Sequence, residues 1–165
     1  MRFRIAESAD LEAVTALINL AFSVERFFVD RDRIDIETVR GLASKGKFIL
    51  LDAAAAENAT ITGCVYVEIK ADRVYIGLLS VDPSRQRSGT GSRLMAAAEE
   101  HGREAGCRFA DLRIVNIRQE LPAFYQKRGY RESGTAPFTL GIVTKLPCHF
   151  VEMTKPLHRS AEAAV

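Results

Sequence analysis

Two glycines between a strand-like run and a helix-like run constrain this chain more than any other feature. The run "RVYIGLLSV", from Arg73 to Val81, is rich in β-branched and aromatic residues and predicts a β-strand. From Gly91 to about Ala105, apolar residues recur at helical spacing and predict an α-helix. The connection "DPSRQRSGTG" contains two glycines, which have no side chain, and two arginines. It is either a sharp, solvated turn or a place where the backbone approaches an anion.

The remaining patterns predict one α/β domain. A short strand from Arg2 to Ile5 is followed by two helices, and then by three strands that end with the run from Arg73 to Val81. After the helix at Gly91, the order is strand, short helix and a last strand "CHFVEMTKPL", which follows a loop of small residues through Leu146. The order βααβββαβαβ predicts a mixed sheet. We expect a single domain over residues 1–157 and a frayed tail over 158–165.

Composition excludes several classes of function. The chain has 165 residues, of which 47% are hydrophobic, and a formal net charge of +2, which gives no general support for nucleic-acid or membrane binding. The sequence lacks an apolar stretch of about 20 residues and an apolar segment after its first arginines, so we expect a cytoplasmic protein. Its three cysteines are widely spaced in apolar surroundings, which predicts reduced thiols and no metal site.

The spacing within the glycine turn distinguishes three designs for binding phosphate. A P-loop needs a lysine that "GTGSR" lacks, and a dinucleotide fingerprint needs a third glycine where Leu94 stands. The spacing Q/R-x-x-G-x-G/A of an acyl-CoA diphosphate site is matched in full from Gln86 to Gly91. There the glycines would let backbone N–H groups converge on the diphosphate at the start of the helix, and Ser92 would add a hydroxyl donor. The arginines around it raise the local potential or are merely solvated.

Two stretches resemble a known family. "VYIGLLSVDPSRQRSGTGSRLM" resembles motif A of the GNAT superfamily of acyl-CoA-dependent N-acyltransferases, and "RIVNIRQELPAFYQKRGY" resembles its motif B. The resemblance spans residues 61–130. It implies a mixed, mostly antiparallel central sheet flanked by helices, with a splayed parallel strand pair. It also implies an N-acetyltransferase that uses acetyl-CoA as co-substrate.

The resemblance assigns residues to the cofactor. Main-chain groups of Leu79 and Val81 would pair with the pantetheine arm, Asn116 would contact CoA, and Tyr125 would contact CoA and protonate the departing thiolate. A phenol suits that last role because it stays protonated at neutral pH. The residues that would cradle the diphosphate are Gln86, Arg87, Ser88, Gly89, Thr90, Gly91 and Ser92.

The general base is less well defined, because Tyr75 stands where many family members place a glutamate. Glu68, on the preceding strand, is either the base or a solvated strand residue. Glu25, beside two phenylalanines, either faces the acceptor or is a surface charge. A chain of water molecules is a third source of basicity. We therefore carry Tyr125, Glu68 and Glu25 forward as candidate catalytic residues.

The leading hypothesis is transfer of an acetyl group to a primary amine, by direct attack in a ternary complex, with a small molecule as the preferred acceptor. Two alternatives remain: acetylation of a protein lysine or N-terminus, and a non-catalytic acyl-CoA-binding module that regulates a partner. Family members often dimerise, so a homodimer is an alternative to a monomer. Nucleic-acid binding is disfavoured, because the chain has no basic stripe outside the glycine turn.

Overall fold

One seven-stranded sheet organises the protein. The computed structural model describes residues 2–53, 60–85, 88–138, 141 and 143–158. The strands are β1 (Arg2–Ile5), β2 (Lys47–Asp52), β3 (Ile61–Lys70), β4 (Arg73–Val81), β5 (Phe109–Val115), β6 (Arg131–Pro137) and β7 (His149–Pro156). The helices are α1 (Leu11–Ala21), α2 (Ile36–Lys45), α3 (Thr90–Glu104) and α4 (Leu121–Gln126). Short 3₁₀ turns cover Ser8–Asp10, Phe22–Phe27 and Pro83–Arg85.

The sheet is mixed, as the sequence predicts. Its strand order is β1-β2-β3-β4-β5-β7-β6, and among the described strands β4 and β5 form the parallel pair while the other neighbours are antiparallel. Helix α3 makes the crossover connection that the parallel strands β4 and β5 need. The predicted mixed sheet with one parallel pair is confirmed.

Strand β6 corrects the sequence prediction. The predicted element order has no strand between the short helix and the last strand, but the segment "RESGTAP" pairs antiparallel with β7 at the edge of the sheet. The segment carries no alternating apolar pattern because nearly all of it is exposed, so its strand character comes from the ladder that β7 offers. The register shifts between Glu132 and Gly134, which is a common way to finish an edge strand.

Each face of the sheet has its own core. Helix α3 covers one face, where Val74, Ile76 and Leu94 are buried together with residues of β5 and β7. Helices α1 and α2 cover the opposite face, where Ile18 and Phe48 are buried. Apolar side chains on alternate residues of the central strands therefore supply both cores.

Local signals mark one end of α2 and one end of α3. Asp35 caps α2 by accepting a hydrogen bond from the backbone N–H of Thr38 at 2.7 Å. Gly106, with φ of 84°, follows α3 in the left-handed conformation that ends helices. None of the described helices combines the length and the apolarity that a membrane-spanning helix needs. The predicted tail, apart from His158, lies outside the described residues, so the domain boundary stays a prediction.

Candidate active site

The centre of the sheet is split between β4 and β5. Their pairing runs from Arg73–Phe109 to Tyr75–Asp111 and is not continued beyond it in either described strand. Just past this point Leu78 has φ of 52°, and the β3–β4 register shifts between Cys64 and Tyr66. A left-handed backbone at a leucine costs about 1 kcal/mol, so the surrounding structure imposes this bulge. The bulge turns β4 away from β5 and opens a wedge between the two strands.

A cavity of about 1420 Å³ fills this wedge and connects the two faces of the sheet. On the α3 face it is lined by the first turn of α3 and by α4; we call this part the cofactor half. On the opposite face it is lined by the end of α1 and residues 31–36; we call this part the acceptor half. Leu79 and Val81 line the cavity, and their pairing with a pantetheine arm stays a prediction.

The glycine turn leaves the start of α3 open. Gly89 is the N-cap residue, with φ of 79°, and no side chain caps the helix there. A Cβ added at Gly89 would meet no atom within 4 Å, and one at Gly91 would come no closer than 3.5 Å, to Phe124. The first N–H groups of a helix have no partner within it, so this turn offers free donors to an anion. The geometry fits a diphosphate; Gln86 and Arg87 lie outside the described residues.

The hydroxyl groups of the turn have internal partners. Ser88 donates to the carbonyl of Arg85 at 2.5 Å and lies 2.7 Å from the hydroxyl of the buried Thr90. Ser92, the predicted hydroxyl donor, accepts a hydrogen bond from Nη2 of Arg128. The backbone of this turn is therefore better placed than its side chains to bind an anion.

Arg128 is a cavity residue that the sequence reasoning did not select. Its guanidinium lies 3.6 Å from the centre of the Phe124 ring and donates to the Phe124 carbonyl at 2.5 Å. Its Nε is buried and has no hydrogen-bond partner among the described residues. The "KRGY" segment of motif B contained this arginine, but nothing local indicated that it would reach back to the start of α3.

Tyr125 lines the cavity, and its role as proton donor stays a prediction. It is 8% exposed and packs edge-on against Phe124 and Tyr130. Within the described part of the chain its hydroxyl has no hydrogen-bond partner. Burial is the largest influence on the phenol and raises the pKa of Tyr125 to about 12. The side chain therefore remains protonated at neutral pH and is free to donate.

Glu25 is buried in the acceptor half and is not a surface charge. It is 6% exposed and forms an ion pair of 3.2 Å with Arg118, which also binds the exposed Glu120. Burial raises the pKa of Glu25 above its usual value, and the nearby Arg118 and Arg33 charges oppose that rise. A carboxylate with a raised pKa is a stronger base than an exposed one.

Glu68 lies at the rim of the same cavity, directly across from Tyr75 in the β3–β4 ladder. It accepts a hydrogen bond of 2.7 Å from the Tyr66 hydroxyl and pairs with Lys70 at 3.1 Å. The Tyr66 hydrogen bond is the main cause that lowers the pKa of Glu68. These contacts make Glu68 a weaker base than Glu25, and the role of each stays a prediction.

Asn116 joins the end of β5 to β7 by two hydrogen bonds. Its side-chain oxygen accepts from the backbone N–H of His149 at 2.9 Å, and its backbone N–H donates to the His149 carbonyl at 2.9 Å. It is not part of the described cavity lining, although Val115 beside it is. A contact between Asn116 and CoA stays a prediction.

No grouping of three or more His, Cys, Asp or Glu side chains in the described ranges is arranged to hold a metal ion. Cys64 and Cys107 are buried and Cys148 is half-buried, all three as free thiols. Burial raises the pKa of Cys64 to about 12, so that thiol is not a nucleophile near neutral pH.

Comparisons with known proteins agree with this geometry. A family model described as an acetyltransferase (GNAT) domain matches residues 46–132. The chain is 33% identical over 85 residues to the uncharacterized protein YdhI of Bacillus subtilis (strain 168), which covers 52% of each protein. It thus spans about half the length of that relative. It is 32% identical over 95 residues to blasticidin-S acetyltransferase of Streptomyces morookaense, which covers 56% of this chain and 68% of that protein.

The fold is also that of solved structures. A crystal structure of aminoglycoside 6'-N-acetyltransferase complexed with coenzyme A superposes with a TM-score of 0.72 at 16% identity, and covers 97% of this chain and 99% of that one. The family model spans the split sheet, the glycine turn and the helix that carries Tyr125. The chain belongs to the GNAT acetyltransferase family, which confirms the family that the sequence motifs predict.

Proposed function

We propose that this protein transfers the acetyl group of acetyl-CoA to the primary amine of a small molecule within a ternary complex. The observation that carries the proposal is one cavity that joins the open start of α3, the Tyr125 hydroxyl and the acceptor half on the other face of the sheet. Such a passage lets two substrates enter from opposite faces and meet at the split between β4 and β5.

The residues of this chain divide the work. The free N–H groups at the start of α3 bind the diphosphate, and the unpaired edge of β4 at Leu79 and Val81 holds the pantetheine arm as an added strand would. Acetyl-CoA, when bound, supplies the thioester carbonyl that the amine attacks and the thiolate that departs. A backbone N–H of β4 polarises the carbonyl oxygen. Tyr125 gives its phenolic proton to the thiolate sulfur.

The amine must lose a proton before or during its attack. Glu25 is the better placed of the two candidate bases, because it is buried in the acceptor half and its pKa is raised. A small acceptor is favoured because the acceptor half is a cavity lined by side chains of α1 and of residues 31–36. The name of the relative that acetylates blasticidin-S and that of the aminoglycoside enzyme support the same class of acceptor.

The decisive measurement is thiol release from acetyl-CoA over a panel of small primary amines, compared with peptides that offer a lysine or a free N-terminus. We expect turnover with small amines. Turnover with peptides alone would favour a protein acceptor. Tight acetyl-CoA binding with no thiol release from any amine would favour the non-catalytic module.

A pair of tyrosine variants tests the proton donor. Tyr125→Phe should lower kcat about 100-fold and leave the Kd for acetyl-CoA unchanged, because it removes a proton donor and little binding surface. Tyr130→Phe is the matched control: it removes a buried hydroxyl that donates to Glu99 at 3.0 Å, in the same core but outside the cavity lining. The control should lose stability and keep kcat. Equal kcat values for the two variants would overturn the role of Tyr125.

A further inference from the structure

The acceptor half contains more positive charge than its own carboxylates neutralise. The carboxylates that line the cavity all have partners: Glu25 binds Arg118, Asp32 binds Arg26, Asp35 caps α2, and Glu68 binds Tyr66 and Lys70. Four arginines of the lining have no ion pair or side-chain hydrogen bond among the described residues: Arg31, Arg33, Arg85 and Arg113. Of these, Arg33 and Arg113 each lie over an aromatic ring.

Arg33 is the more enclosed of the two. Its guanidinium lies 5.3 Å from the centre of the Phe22 ring, and both residues line the cavity. The backbone beside it is fixed, because Asn19 bonds both the N–H and the carbonyl of Ile34, at 3.0 and 2.9 Å. Burial lowers the pKa of Arg33, and the Glu25 charge opposes this change without forming a contact pair. A half-buried guanidinium whose donors have no partner among the described residues is suited to bind a carboxylate.

Arg113 faces the same space from the sheet. Its strand neighbours Leu112 and Ile114 belong to the core on the α3 side, so the alternation of β5 directs Arg113 to the acceptor half. Its guanidinium lies 4.2 Å from the centre of the Phe150 ring. Glu152 is its cross-strand neighbour on β7, yet no ion pair joins them. The charge of Arg113 is close enough to lower the pKa of Arg33.

The two arginines are near the reacting centre but away from the diphosphate site. Tyr75 lines the same cavity and is close enough to affect the pKa of both Arg33 and Tyr125. The arginines and the candidate proton donor therefore face one shared space. The start of α3 lies on the other face of the sheet from Arg33 and Arg113. Phosphates bound at the start of α3 would therefore not contact the guanidinium groups of Arg33 and Arg113.

We infer that Arg33 and Arg113 form a carboxylate subsite, and that the acceptor is a primary amine that also carries a carboxylate, as an amino acid does. This inference rests on the proposed function and specifies its substrate class. The planar fork of Arg33 binds the carboxylate, Arg113 adds charge from the opposite wall, and the amine of the same molecule reaches the split in the sheet. The enzyme would thus favour zwitterionic acceptors over amines that are merely cationic.

Binding of matched acid and amide pairs tests the subsite without turnover. Each pair, for example β-alanine and β-alaninamide, or an L-amino acid and its amide, differs by little more than the negative charge. Titration calorimetry is done on the protein saturated with a thioether analogue of acetyl-CoA that cannot transfer its acyl group. We expect at least one acid to bind about 10- to 100-fold more tightly than its amide, the effect of one charged hydrogen-bonded pair.

Variants then locate the preference. Arg33→Gln and, separately, the more exposed Arg113→Gln should each reduce the acid-to-amide ratio, Arg33→Gln to within about twofold, while Arg33→Lys retains part of it. Arg40→Gln, which removes an exposed arginine of α2 paired with Glu37, is the matched control and should keep the full ratio. Thermal melting confirms that each variant is folded.

Two outcomes separate this inference from the proposed function. Equal affinity for every acid and its amide, or a ratio that survives in both Arg33→Gln and Arg113→Gln, would overturn the carboxylate subsite. The general acetyltransferase activity would still stand if thiol were released from neutral or cationic amines. Absence of thiol release from every amine would overturn the proposed function itself.

Discussion

The two halves of the cavity are built by different means. In the cofactor half, the groups that we propose for binding acetyl-CoA are backbone atoms: the open first turn of α3 and the unpaired edge of β4. In the acceptor half they are side chains, above all Glu25, Arg33 and Arg113, brought in from three separate segments. A backbone site is fixed by the fold and depends on glycine and strand geometry. A side-chain site is free to change with single substitutions while the fold is preserved.

This difference predicts where substitutions do harm. Changes in the cofactor half should act on acetyl-CoA affinity through the space around the backbone. Changes in the acceptor half should act on acceptor choice and on the balance of buried charge.

Breaking the buried ion pair between Glu25 and Arg118 in the acceptor half should cause the largest loss of stability. Arg118→Gln leaves Glu25 buried without its counter-charge and should lower the free energy of unfolding by about 3 kcal/mol. Glu25→Gln should hardly change the free energy of unfolding near pH 7. The folded-state pKa of Glu25 is raised, so this carboxyl stabilises the fold when it is protonated, and that contribution is lost as pH rises through the folded-state pKa. Urea denaturation measures both variants.

The double variant completes this test. Arg118→Gln combined with Glu25→Gln should recover most of the lost stability, because no unpaired buried charge remains. Glu120→Gln, at the exposed partner of the same arginine, should cost less than about 0.5 kcal/mol. If Arg118→Gln cost no more than Glu120→Gln, the acceptor half would not depend on paired charge.

In the cofactor half, a side chain added beside the free N–H groups should weaken binding. Gly91→Val has room for its Cβ, so the fold is kept, but its methyl groups obstruct the diphosphate. We expect the Kd for acetyl-CoA to rise about 10- to 100-fold, the value of one or two charge-assisted hydrogen bonds, with little change in the melting temperature. Calorimetric titration with CoA measures the change.

Gly102→Ala is the contrasting glycine variant. Its Cβ would lie 2.6 Å from Cγ1 of Val74, so the packing of α3 against β4 must shift at a cost of about 1–3 kcal/mol. Its CoA affinity should be unchanged. A pattern in which Gly102→Ala weakens CoA binding and Gly91→Val does not would contradict the backbone site.

A smaller effect is expected from the exposed arginine of the glycine turn. Arg85→Gln should raise the Kd for CoA about twofold at low salt and have no effect at high salt, because solvated charges are screened. Titrations at two ionic strengths make the comparison. A loss that is large and insensitive to salt would show that side chains, and not the backbone, carry the diphosphate site.

The last prediction is that kcat does not change as pH rises through the mildly alkaline range. Because burial raises the pKa of Tyr125 to about 12, the proton donor stays protonated as pH rises, and kcat should not fall between about pH 8 and 10. A phenol with an ordinary pKa would begin to lose its proton near the upper end of that range. A fall in kcat at about pH 9–10 in the wild type, absent in Tyr125→Phe, would contradict the raised pKa of Tyr125 while supporting its part in the reaction.

Sequence reasoning succeeded where local chemistry fixes the structure. The glycine spacing and the alternation of β4 predicted the strand, the turn and the helix, because each depends on neighbours in the chain. The acceptor half could not be predicted in this way. Arg33 and Arg113 are brought together by the sheet, and in sequence Arg113 is simply the polar residue between Leu112 and Ile114 on a strand. Strand β6 was missed because its exposed small residues have no alternating pattern.

The left-handed backbone at Leu78 has a consequence for how proteins of this kind can change. Before it, even-numbered residues such as Val74 and Ile76 face α3; after it, odd-numbered residues such as Leu79 and Val81 do. The cleft therefore depends on a one-residue shift in which side chains of β4 face α3, even-numbered before Leu78 and odd-numbered after it. Substitutions leave that shift intact, whereas deletion of one residue at the bulge should remove it and let β4 continue its pairing with β5. Loss of a single codon, more than any exchange of side chains, would turn the binding cleft into continuous sheet.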